Sequence, residues 1–104
     1  MADSLGLDIV STSLGYTTFD DESFNFAYAD MDGRSSRGAQ AAIIAARKGM
    51  LLIVAVGNDG NKAWHYLSTP ADADSILTVG AVDIDRTITN FSSFGPSADG
   101  RIKP

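Results

Sequence analysis

Leu51-Leu52-Ile53-Val54-Ala55-Val56-Gly57-Asn58-Asp59-Gly60-Asn61 decides how the rest of the chain is read. Six apolar residues run without a polar interruption, then stop at glycine, asparagine and aspartate. A strand with one wet face would alternate, so the run predicts a strand buried on both faces of a sheet. The polar end predicts a loop at the strand's carboxyl edge, where open α/β sheets bind their ligands. Asn58 is the first candidate for chemistry on that loop.

Upstream, Ser35 or Ser36 can cap a helix that runs to about Lys48. Ala39, Ala42, Ile43 and Ala46 fall on one helical face, and small residues there let a helix lie close to a sheet. Arg47 and Lys48 suit the negative end of the helix dipole, and Gly49 stops the helix. Met50 then leads directly into the apolar run, which is the second half of a βαβ unit. Its first strand is predicted over Leu7 to Leu14. Ala2 to Gly6 reads as the tail of a helix closed by glycine, which implies a chain that continues upstream of Ala2. A third strand is predicted over Ser75 to Val82, a turn at Asp83 to Arg86, and a short edge strand over Ile88 to Phe91. The fold class is therefore α/β with a parallel sheet, about three strands and one or two helices.

Tyr16 to Arg34 is a long irregular segment with Asp20, Asp21, Glu22, Asp30 and Asp32 among Phe19, Phe24, Phe26 and Tyr28. The carboxylates do not have EF-hand spacing, and the aromatics indicate a loop packed onto the body. The segment is read as a solvated acidic loop and not as a metal site.

With 104 residues the chain has room for one small domain, and its 44% hydrophobic content is sufficient for a core. Thirteen acidic residues against eight basic ones leave a net charge of −5. That balance argues against nucleic-acid and anionic-membrane partners, which need a cationic face. There is no cysteine, so disulfides and thiolate metal sites are excluded. No apolar run reaches the ~20 residues of a membrane helix.

Four segments, in order, resemble subtilisin-like serine peptidases. Asp8 to Gly15 is similar to that family's D-V-I-x-x-S-L-G strand, and Val54 to Gly60 to its V-A-A-A-G-N-x-G segment. Pro70-Ala71 with Ile76 to Asp83 resembles P-A-x-x-x-x-V-I-T-V-G-A-V-D. Phe91 to Pro104 resembles F-S-S-x-G-P-x-x-D-G-R-x-K-P. The resemblance implies a three-layer fold around a parallel sheet and hydrolysis of peptide bonds through an acyl-enzyme. It assigns Asn58 to the oxyanion hole, where a side-chain NH2 donates to the carbonyl oxygen as negative charge develops on it. Taken without the surrounding motifs, Asn58 is better read as a turn former with Asp59-Gly60. The resemblance also implies a substrate cleft. Ser13, Leu14 and Gly15 offer main chain to an extended peptide, and Ala55, Val56 and Gly57 line a side-chain pocket. Leu14, Ala55 and Val56 can alternatively be plain core.

The family's D-T/S-G, H-G-T and G-T-S-M-A motifs are absent, so no triad residue is present. His65, the one histidine, sits among aromatics, and Ser92 and Ser93 read as structural. The expectation is a central fragment, 1–104, of a peptidase domain incomplete at both ends, inactive alone, with Met1 an added start. The resemblance further implies a secreted or cell-envelope parent, a polypeptide substrate, and a possible structural calcium on backbone carbonyls between Pro70 and Ile76. No other cofactor is implied. Exposed sheet edges predict self-association of the isolated chain. Two other readings remain open: a non-catalytic α/β module that binds a peptide through Ser13–Gly15, and a piece of a degenerate pseudo-peptidase.

Overall fold

The computed structural model describes residues 1–104. Three parallel strands, β1 (Ile9–Thr12), β2 (Leu51–Ala55) and β3 (Leu77–Val79), form one sheet in the order β1-β2-β3. Ile9 pairs with Leu51, and Ile53 with Leu77, which fixes the register. One helix, α1 (Arg37–Arg47), connects β1 to β2.

The helix forms where its end signals place it. Ser36 is the N-cap, and its hydroxyl accepts the Ala39 N–H at 2.9 Å. Gly49 follows the last turn with φ of 93°, a conformation that glycine adopts without a side-chain clash. Ala39 and Ala42 are buried against β2, with Leu52 and Val54 of that strand in the same cluster. Complete burial of an aliphatic side chain contributes about 1.5–3 kcal/mol, so this face of β2 carries much of the folding free energy. A smaller cluster of Met31, Val56 and Leu67 is flanked by Phe26, Tyr28 and Trp64.

The expectation that β2 is buried on both faces needs correction. Leu52 and Val54 are buried, but Leu51 is 46% exposed and Ile53 is only half-buried. With α1 as the single helix on the sheet, these residues supply two layers and not three. The outer strands are also shorter than predicted. Only Ile9–Thr12 of the Leu7–Leu14 segment and Leu77–Val79 of Ser75–Val82 are in the sheet. The Ile88–Phe91 edge strand reduces to one bridge between Val82 and Ile88. There the Asp83 carboxylate takes the N–H groups of Asp85 and Thr87 and the Thr87 hydroxyl, which holds a tight turn. The N-terminal helix tail is one 3-10 turn, Asp3–Leu5, closed by Gly6 at φ 69° as the glycine predicts.

The 16–34 segment packs onto the body only in part. Phe26 and Tyr28 lie against the Met31, Val56 and Leu67 cluster, whereas Phe24 is 65% exposed and Phe19, also exposed, meets Tyr16 and Phe26 edge-on within the segment itself. Its carboxylates hold local backbone. Asp21 accepts from Ser23 N–H, Asp30 from Ala27 N–H, and Asp32 from the N–H groups of Arg34 and Ser35.

Candidate active site

Past Ala55 the strand continues in pairing for one residue. The Val56 N–H donates to Val79 at 2.9 Å, and its carbonyl accepts from Ser68 at 3.1 Å. Gly57 then turns the chain outward with φ of 122°. Its carbonyl accepts the Ser93 N–H at 3.0 Å, and the Gly60 N–H donates to Phe91 at 2.9 Å. Between them the Asp59 N–H donates to Ser93 Oγ, also at 2.9 Å. A Cβ at Gly60 would lie 2.1 Å from the Ser92 carbonyl oxygen, so only glycine permits this approach. Asn58 therefore sits on a loop tied down on both sides by the Phe91-Ser92-Ser93 segment. The Asn58 residue is exposed, and its amide takes no part in the side-chain hydrogen bonds that hold the loop.

The facing wall is Ser13-Leu14-Gly15, which follows β1. None of the three uses its N–H or C=O in a backbone hydrogen bond, and Leu14 is 70% exposed. The next residue is anchored, with the Tyr16 N–H donating to Thr69 at 3.2 Å. A Cβ on Gly15 would stand 2.2 Å from Ser68 Oγ, so glycine keeps this side of the cleft open.

Between the walls lies a cleft of about 260 Å³ lined by Ser13, Leu14, Gly15, Ala55, Gly57, Asn58, Asp59 and Ser68. It brings together every predicted site residue except Val56. That side chain is 1% exposed and packs with Met31 and Leu67, because the pleat turns it away from the cleft. Leu14, in contrast, is not core. Ser68 and Asp59 were not singled out from the sequence. Ser68 reaches the cleft through the pairing of Tyr16 with Thr69, and nothing in its local sequence signals that.

A larger cavity, about 680 Å³, lies between the aromatics of the 16–34 segment and the start of α1. It contains none of the predicted site residues, so its size does not make it the reactive centre. His65 is also outside the cleft. Its ring stacks on Phe94 at 5.3 Å, and its Nδ1 lies 3.1 Å from the Ala63 carbonyl oxygen. Ser92 and Ser93 are buried and serve the backbone, as the sequence predicts.

The subtilase family profile matches residues 2–104. This chain belongs to the subtilase family. It is 43% identical over 67 residues to subtilisin-like protease 1 of Arthroderma otae, covering 64% of this chain and 13% of that protein. It is 39% identical over 70 residues to subtilisin-like proteinase Mp1 of Magnaporthiopsis poae, covering 66% and 17%. The chain thus spans less than a fifth of the length of these subtilase relatives. Among solved structures, the prenylagaramide maturation protease PagA superposes with a TM-score of 0.64 at 28% identity, over 92% of this chain and 30% of that one. The PatG macrocyclase in complex with peptide gives 0.62 at 22% identity over 92% and 24%, a likeness of fold alone. Three parallel strands with a packed helix agree with the subtilase assignment.

Proposed function

We propose that these residues are the central part of a longer serine endopeptidase domain, in which Asn58 is an oxyanion donor and Ser13–Gly15 hold the substrate. The observation that carries this reading is the meeting of Asn58 with the unpaired Ser13–Gly15 main chain in one cleft. An extended peptide adds to that main chain by β-pairing. Its scissile carbonyl points at the Asn58 amide, whose NH2 strengthens its hydrogen bond as the oxygen becomes anionic. Ala55, Gly57 and Ser68 are small and leave room for a substrate side chain. The Asp59 carboxylate, next to Asn58 on the same loop, pairs with Lys62 at 2.7 Å.

The nucleophile, its base and the orienting acid come from elsewhere in the longer domain, since His65 is packed among aromatics. The isolated 104-residue chain is accordingly inactive. A polypeptide is the substrate class, and the net charge of −5 disfavours nucleic acid or an anionic membrane as partner. Export of the parent to the exterior or cell envelope belongs to the same reading and rests on family resemblance.

The test is Asn58→Ala in the longer protein. The expected loss is about 10²–10³ in kcat with KM little changed, the magnitude that removal of this donor has in a subtilisin. An unchanged kcat removes Asn58 from the oxyanion hole. A peptide ester incubated with the 104 residues alone should show no turnover. Hydrolysis that disappears on changing Asn58 or His65 would overturn the inactivity.

A further inference from the structure

The segment after the cleft contains three consecutive buried residues, Ala71, Asp72 and Ala73. Each of their carbonyl oxygens receives a donor from elsewhere in the chain. Ala71 accepts the Thr78 hydroxyl at 2.8 Å, and Asp72 accepts Arg101 Nη2 at 2.9 Å. Ala73 accepts the Lys103 ammonium, which also donates to Thr78 Oγ1 at 3.0 Å. Two of the three donors are cations from the Arg101-Ile102-Lys103 tail.

Calcium, which the family resemblance places on carbonyls of this segment, does not fit these residues. It requires six to eight oxygens at about 2.3–2.6 Å. Here the carbonyls are already engaged, and a dication would stand beside an ammonium and a guanidinium. Of the Asp72 carboxylate, Oδ2 is committed to the Gly33 N–H at 2.8 Å, and Oδ1 is buried without a hydrogen-bond partner. One free oxygen falls well short of the six to eight that calcium needs.

We propose that the Lys103 ammonium is the resident cation of this carbonyl cradle, so that the chain holds its 70–76 segment without a metal ion. A tethered ammonium gives the same charge-assisted bonds to carbonyl oxygens that a bound cation gives, and it loses less freedom in doing so. Burial lowers the pKa of this ammonium and Arg101 adds to that, while Asp72, Asp74 and Asp99 favour its charge.

The experiment is thermal unfolding of the full chain. The wild type should melt at the same temperature in EGTA and in millimolar calcium. Lys103→Ala should lower Tm by on the order of 10 °C, because it leaves the buried Ala73 carbonyl without its charged partner. Added n-propylammonium, which replaces the atoms removed, should recover most of that loss. Tetramethylammonium at equal ionic strength, too large and without N–H donors, should not. Equal recovery by the two ions overturns the proposal, and so does a saturable rise in wild-type Tm with calcium. If Lys103→Ala does not fold, the wild-type calcium titration decides alone, and Lys103→Arg should show the same indifference to calcium.

Discussion

Asp99 shows how one residue ties the C-terminal tail to the body. It accepts the Ser97 hydroxyl at 2.6 Å and Arg101 Nε at 2.7 Å. The same guanidinium reaches the carbonyls of Asp32 and Asp72 through Nη2. The bond from Arg101 lowers the Asp99 carboxyl from 3.8 to about 2. A folded-state value below the unfolded one stabilises the chain at pH above the unfolded value, and that stability is lost as pH falls through the folded value. The urea midpoint should therefore decline between about pH 4 and about pH 2, and Asp99→Asn should flatten the decline. Asp72 acts with the opposite sign and in a different window: burial raises its carboxyl, so its protonation stabilises the fold as pH falls toward the unfolded value of 3.8, before Asp99 protonates. An undiminished decline in Asp99→Asn would assign the acid sensitivity to other groups.

At the scale of elements, α1 depends on its first turn. Ser36 is 1% exposed, caps the Ala39 N–H, and shares a hydrogen bond with the Thr69 hydroxyl. It therefore links the helix to the segment that pairs with Tyr16 at the cleft. Ser36→Ala removes both bonds, and loss of such a cap costs about 0.5–2 kcal/mol. The variant should show a lower urea midpoint with an unchanged slope. A shift no larger than that of an exposed serine, such as Ser4→Ala, would mean that helix packing alone sustains the turn. Ser36, Gly49 and the Ala39/Ala42 face were legible in the sequence because each is decided within about four residues. The ends of β1 and β3 were not, because a strand stops where its neighbour does.

The whole molecule presents an apolar sheet face opposite α1, with Ile9, Leu51, Leu77 and Val79 between 39% and 60% exposed. Parallel sheets of this composition are normally covered on both faces. β1 and β3 also have one unpaired edge each, though both are short. The isolated chain is expected to self-associate, with a weight-average mass that rises with concentration in sedimentation. Leu51→Lys with Leu77→Lys should suppress the rise by putting charge on that face. A monomer at every concentration would count against this expectation.

The sequence by itself determined the family, the β-α-β order, the helix ends and the candidate residue Asn58. These depend on spacing, on end signals and on motifs contiguous along the chain. Only the tertiary structure decided which of those residues meet. Ser13–Gly15 face Asn58 because Tyr16 pairs with Thr69 and because Ser93 and Phe91 hold the Gly57–Gly60 loop. Val56 leaves the site for the core, Ser68 enters it, and Lys103 closes on Ala73, all through contacts between segments distant in sequence. The apolar run Leu51–Val56 remains the strand that ends at Asn58. Its composition records that both faces are apolar, but which face is covered depends on what packs there, and here only α1 does.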